Sequence, residues 1–190
     1  MAPLIFVRHG ETDWNVAGRL QGRTDTPLNP KGRDQADSVG RALRDVPDIS
    51  DRVFLASPLT RAVDTMRRMR AAMGLDPDGF STDERLAEMS FGRWEGLTFR
   101  EIGEREPAAM KAREADKWSH VPPDGESYVQ VCERVGALLG GLDRPAVLVS
   151  HGGVARAVLA LCGADRTKLA DIRIQQGRAL AIEDGRWRWI

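Results

Sequence analysis

Two of the three histidines in this 190-residue chain stand in matching surroundings. Arg8-His9-Gly10-Glu11-Thr12 follows the apolar run Leu4-Ile5-Phe6-Val7, and Ser150-His151-Gly152-Gly153 follows Ala146-Val147-Leu148-Val149. A short run of branched and aromatic residues that meets a glycine reads as a buried strand giving way to a turn. Each strand would deliver an imidazole to its C-terminal end, the edge at which open α/β sheets bind ligands. Two imidazoles at one edge, with arginines nearby, point to chemistry on a phosphate. A phosphate monoester dianion repels anionic nucleophiles. A neutral imidazole escapes that penalty and can form a phosphoramidate that water later opens, so His9 is the candidate nucleophile. Its other ring nitrogen is expected to donate to a backbone carbonyl, which would fix the tautomer. Arg8 and Arg61 can present forked donors to the phosphoryl oxygens. His151 and the backbone N–H of Gly152, near a helix start, can donate to the same group. The leaving oxygen needs a proton, and Glu88 is the expected acid, ahead of Glu84 and Glu95.

The elements that must position these residues alternate between strand and helix. After the first strand a polar loop runs through Gly10, Gly18 and Gly22 to Asp25. Asn29-Pro30 then reads as N-cap and first turn of a helix, with Ala36, Val39, Ala42, Leu43 and Val46 as its apolar stripe. Val53–Ala56 is a second strand. Ser57-Pro58 reads as another cap-plus-proline start, for a helix lined by Ala62, Met66, Met69 and Met73. Thr98 with Glu101 fits a capping box. The segment from Pro107 to Pro123 is charged and reads as irregular, with His120 on a loop. Ser127 should open a helix to Leu142. The strand Ala146–Val149 should be followed by a helix from about Val154 to Leu161, stopped by Gly163. Ile172–Ile174, Ala179–Ile182 and Trp187–Ile190 read as closing strands, the last two joined by the turn Glu183-Asp184-Gly185. The expectation is α/β: a single-domain three-layer α/β/α sandwich over residues 1–190, with a mostly parallel central sheet.

These residues also resemble a known family. Arg8-His9-Gly10-Glu11-Thr12, Trp14-Asn15, Gly18-Arg19-Leu20-Gln21-Gly22, Asp25-Thr26-Pro27-Leu28 and Gly32 are similar to the opening of the histidine phosphatase superfamily, the group of the cofactor-dependent phosphoglycerate mutases and their phosphatase relatives. Ser57-Pro58-Leu59-Thr60-Arg61-Ala62 with Thr65 resembles its second block. Leu86-Ala87-Glu88 with Phe91-Gly92-Arg93-Trp94-Glu95-Gly96 resembles its third. Pro123-Asp124-Gly125-Glu126-Ser127 and Ser150-His151-Gly152-Gly153 resemble its last two. The resemblance implies the same roles for His9, Arg8, Arg61, His151 and Glu88, and phosphate contacts from Asn15 and the Gln21-Gly22 turn. It implies a phosphomonoester hydrolase working through a phosphohistidine on a small phosphorylated metabolite. It favours phosphatase over phosphoglycerate mutase in two places. The mutases look longer, with an extra basic segment over the pocket and a C-terminal tail. Trp94-Glu95-Gly96 is also similar to the broad-specificity and ribazole-phosphate phosphatases. The non-phosphate part of the substrate would meet Pro107–Pro123, which carries Arg113, Lys117, Trp118 and His120, and the loop around Arg23 and Thr24.

Composition sets the outer bounds. Formal net charge is +0, which argues against a nucleic-acid partner bound through bulk charge. No apolar stretch approaches a membrane span, and the N-terminus has no basic region of a signal peptide, so a cytoplasmic location is expected. Cys132 and Cys162 are expected as two buried thiols rather than a disulfide. No cofactor is expected, and no metal, because the arginines would repel a cation. A metal site built on His9, His151 and a carboxylate, a mutase, and a phosphate-binding module without catalysis remain as alternatives. Oligomeric state cannot be read from the chain.

Overall fold

The computed structural model describes residues 2–169 and 172–190. In chain order its elements are β1 (Leu4–Arg8), α1 (Asp13–Val16), α2 (Pro30–Leu43), β2 (Val53–Ala56), α3 (Thr60–Met73), β3 (Ser81–Thr82), α4 (Phe99–Arg105), α5 (Pro107–Ala115), α6 (Tyr128–Gly140), β4 (Ala146–Ser150), α7 (Gly152–Leu161), α8 (Arg166–Leu169), β5 (Ala179–Glu183) and β6 (Arg186–Trp189). The six strands lie in the order β3-β2-β4-β1-β5-β6. The first four in that order are mutually parallel, and β5 and β6 close the sheet antiparallel.

Alternation along the central strands feeds two cores. Leu4 and Phe6 of β1 with Ala146 and Leu148 of β4 pack under α6 and α7, against Val131, Val135, Val154 and Val158. Ile5, Val7, Val147 and Val149 face the other way, onto Val39 and Leu43 of α2 and Met66 and Met69 of α3. Both faces are covered, which is why β1 and β4 read as unbroken apolar runs. The result is the three-layer α/β/α arrangement around a mostly parallel sheet. β1 and β4 are neighbours, in register from Leu4↔Ala146 to Arg8↔Ser150. The chain leaves β1 toward α2 on one face and leaves β4 into α7 on the other. A crevice opens at such a switch point, and His9 and His151 are the next residues after the two strands.

Four local expectations are corrected. Ser57 does not cap α3: the helix begins at Thr60, and its cap comes from Asp25, whose Oδ1 accepts from the Thr60 N–H at 2.9 Å and whose Oδ2 accepts from the Thr60 hydroxyl. The stretch read as irregular is helical from Pro107 to Ala115, with proline in the first turn. Ile172–Ile174 is not a strand, because its carbonyls serve guanidinium groups instead of a ladder: Ile172 O accepts from Arg156 Nη2 at 2.8 Å and Ile174 O from Arg8 Nη1 at 2.8 Å. Cys132 is a buried free thiol as expected, but Cys162 is only half-buried. Among the described residues no helix is long and apolar enough to cross a membrane.

Candidate active site

A cavity of about 230 Å³ opens over the ends of β1 and β4. Its walls include Arg8, His9, Asn15, Gln21, Gly22, Arg61, Glu88 and Gly152. Nine of the ten expected site residues are therefore placed together once His151 is added, whose ring centroid lies 5.1 Å from that of His9. Thr24 is the exception. It does not line the cavity; its N–H and hydroxyl both donate to Glu95 Oε2, at 2.9 and 2.6 Å.

His9 is buried, and its Nδ1 lies 2.7 Å from the Gly10 carbonyl. A carbonyl only accepts, so Nδ1 carries the proton and Nε2 keeps its lone pair. Burial, and then the charges of Arg8 and Arg61, hold the His9 imidazole well below the usual histidine range, against the smaller upward pull of the Gly10 carbonyl. The ring is neutral at neutral pH and can attack as a base-form nucleophile. His151 is held low in the same direction, by burial first and then by Arg61, His9 and Arg8.

Both arginines are anchored by the backbone. Arg8 donates through Nη1 to Ile174 O. Burial draws its guanidinium down to about 10, partly opposed by Glu88, and it stays charged at neutral pH. Arg61 is fully buried on the first turn of α3 and donates through Nη1 to Thr24 O at 2.9 Å and through Nη2 to Gly22 O at 2.7 Å. Gly22 turns the loop with φ 51°, and a side chain there would collide with Glu95. That carboxylate takes the N–H groups of Arg23, Thr24 and Phe91, so Glu95 is a loop tie and not a cavity acid. Glu84 is exposed on a short 3-10 turn.

Glu88 is the carboxylate of the cavity. Oε1 accepts from Met89 N at 2.8 Å, and both oxygens share the Gly153 N–H at 3.1 and 3.2 Å. A Cβ at Gly153 would strike Glu88 Oε1, so a side chain there would displace the carboxylate from this position. Asn15 caps α1 reciprocally with Thr12, and its Oδ1 also accepts from Gln176 Nε2 at 2.8 Å, which leaves its amide N–H₂ for a ligand. Gln21 is locked by hydroxyls of Thr12 and Thr26 on Oε1.

Three buried nitrogens in this region lack partners among the described residues: Arg8 Nε, Arg61 Nε and His151 Nδ1. Each would cost about 1–3 kcal/mol if left so. An oxyanion with several acceptor oxygens answers both guanidinium N–H groups, and His151 Nδ1 as well in the tautomer that protonates it.

The rest of the cavity wall is formed by Arg19, Leu20, Phe91, Phe99, Arg113, Tyr128, Gly153 and Arg156. Of the Pro107–Pro123 segment only Arg113 reaches it; the guanidinium sits 4.2 Å from the Phe99 ring. Trp118 stacks behind Tyr128 and His120 stacks on the buried Trp94. Arg156 went unseen in the sequence although it stands four residues after Gly152, on the same face of α7. Tyr128, one residue after the Ser127 cap, was also missed, because nothing local marks it as a wall residue. Among the described residues no three His, Cys, Asp or Glu side chains gather as a metal site would need.

The family model of the histidine phosphatase superfamily (branch 1) matches residues 4–189. A glucosyl-3-phosphoglycerate phosphatase of Mycobacterium tuberculosis is 37% identical over 171 residues, covering 83% of this chain and 73% of its own. The solved alpha-ribazole phosphatase of Shigella flexneri superposes with a TM-score of 0.81 at 29% identity, over 95% of this chain and 90% of its own. A mycobacterial glucosyl-3-phosphoglycerate phosphatase in complex with VO3 superposes with a TM-score of 0.80 at 32% identity, over 100% of this chain and 98% of its own.

Proposed function

The chain belongs to the histidine phosphatase superfamily, branch 1, and is a phosphomonoesterase of it; from that premise we propose that it hydrolyses a small phosphorylated metabolite through a phosphohistidine at His9. In this reading His9 Nε2 attacks phosphorus and forms the N–P bond as the P–O bond to the organic group breaks. Glu88 passes its proton to the departing oxygen. Water then attacks the phosphohistidine, Glu88 takes a proton from it, and phosphate leaves with the imidazole restored. Charge on the equatorial oxygens is met by Arg8, Arg61, His151 and the Gly152 N–H, with Asn15 and Gln21 at the edge.

The observation that carries the reading is the pair of unpartnered buried guanidinium donors, Arg8 Nε and Arg61 Nε, with the unpartnered His151 Nδ1 beside them, at a neutral histidine whose Nε2 is unclaimed. Attack is in line, so the organic group lies on the Glu88 side, among Phe91, Phe99, Arg113, Tyr128 and Arg156. Apolar faces beside guanidinium donors suit a small metabolite with polar or anionic substituents. Rapid-quench mass spectrometry with p-nitrophenyl phosphate should find an acid-labile, base-stable phosphate on the peptide holding Arg8 and His9. Turnover with no such adduct would overturn the mechanism. Phosphoglycerates should release phosphate rather than interconvert if water is the acceptor.

A further inference from the structure

Ser57 is fully buried at the end of β2. The sheet register places it: Ala56 pairs with Val149, and the Ser57 N–H donates to Val149 O at 2.9 Å, so it lies beside the end of β4. There its Oγ is 2.7 Å from His151 Nε2. The serine is free for this contact because Asp25, reaching across from the β1 loop, caps α3 in its place.

The direction of the bond follows from counting donors. The Leu59 N–H already donates to Ser57 Oγ at 3.3 Å. If His151 Nε2 also carried its hydrogen, Oγ would accept twice, and the hydroxyl proton would be buried with no acceptor among the described residues. If the hydroxyl donates to Nε2, every hydrogen at Ser57 is used. A neutral imidazole has one proton, which then must sit on Nδ1, the buried nitrogen that lacks a partner.

We propose that Ser57 is a positioning residue: its hydroxyl fixes His151 as the Nδ1–H tautomer, so that an uncharged imidazole presents a donor, and not a lone pair, to the phosphoryl oxygens. Without it the ring can take the opposite tautomer and set a lone pair against an anion. The proposal rests on the phosphohistidine reading of the site, which is tested separately by wild-type turnover of p-nitrophenyl phosphate and its loss in His9→Ala.

The wild-type enzyme provides the first test. Long-range 1H–15N spectra at neutral pH should show His151 Nε2 unprotonated and Nδ1 protonated; the reverse assignment overturns the proposal. Ser57→Ala should lower kcat/KM for p-nitrophenyl phosphate by about 10–100-fold, the range seen when an imidazole bound to a metal loses its orienting partner. The same variant should show a second His151 tautomer. Ser57→Thr, which keeps the hydroxyl, should recover most of the rate. In a His151→Ala background, Ser57→Ala should cost less than about 2-fold, because the residue it orients is gone. A full loss in that background would mean that Ser57 acts on the fold and not through His151. Should Ser57→Ala fail to fold, the wild-type tautomer and the Ser57→Thr rate still decide the matter.

Discussion

His9 and His151 end neighbouring strands, are equally buried, and are both kept neutral by the same surroundings. What separates them is one hydrogen bond each. His9 gives its Nδ1 proton to a backbone carbonyl, so Nε2 is a lone pair at the cavity. His151 meets a serine hydroxyl at Nε2, and its remaining proton is left on Nδ1. The pair shows that burial and charge alone do not assign roles. A partner that can only accept leaves one ring a lone pair at the cavity, and a partner that can donate leaves the other a hydrogen-bond donor there. The first partner is a main-chain atom, present whatever residue follows. The second is a side chain that one substitution removes.

The most severe way to break the comparison is to delete each ring in turn. His9→Ala should abolish the phosphoenzyme and lower kcat/KM by about 10⁴-fold or more, since no group replaces the nucleophile. His151→Ala should slow the reaction yet leave phosphate on the His9 peptide. A phosphoenzyme that survives His9→Ala would reverse the two roles.

The next largest effect belongs to the proton donor and depends on the leaving group. Glu88→Gln should lose about 10²–10⁴-fold on an alkyl phosphate, which expels a basic alkoxide, and far less on a nitrophenyl ester. Glu95→Gln should instead loosen the Arg23-Thr24 loop, whose N–H groups it holds. Equal losses on both esters in Glu88→Gln would leave that carboxylate only a structural part.

Smaller again are the clamp residues. Arg8→Ala, Arg61→Ala and His151→Ala should each cost about 10²-fold in kcat/KM on p-nitrophenyl phosphate. Their losses should fall short of additivity when combined, because all act on one phosphoryl group. Additive losses would place one of them outside the clamp.

How much of this was legible in the sequence follows the range of the interactions. β1, β2 and β4 are apolar runs, and the caps at Asn29, Thr98 and Ser127 are written within three residues of the helices they start. The strand-end histidines could therefore be found, and with them the edge over which the cavity opens. What failed was settled at a distance. Ser57 looks like a cap and is not one, because Asp25 arrives from a loop to do that work. Ile172–Ile174 looks like a strand, but two arginines from other elements claim its carbonyls. Ser81–Thr82 pairs at the edge of the sheet with both residues exposed, so no apolar signal marks it. Arg113 was in view as part of the charged segment, but Arg156, Phe91 and Phe99 join it only when four separate segments fold over the cavity.

The gentlest probe leaves both rings in place and reads their shared neutrality through stability. Burial is the first cause for each; His9 is further opposed by Arg8 and Arg61, and His151 by Arg61, His9, Arg8 and Arg134. Both native values lie well below 6.5, near which an unfolded histidine titrates. Below that pH the unfolded chain therefore binds protons that the native state refuses, so stability rises with pH there and is fully present above it. Each ring contributes a slope of up to about 1.4 kcal/mol per pH unit, and the two together up to about 2.7. Between about pH 5.5 and 6.5 ordinary carboxylates, near 4, add little. Urea unfolding across that window, in buffer free of phosphate because anion binding would stabilise the native state alone, should show stability falling as the pH is lowered. His9→Gln and His151→Gln should each remove about half of that slope, whatever each does to stability at pH 7.5. If one variant removed the whole slope, the other histidine would have to titrate in the folded protein as it does in the unfolded chain. Its surroundings would then not be what keeps it neutral, and the symmetry from which the comparison starts would be gone.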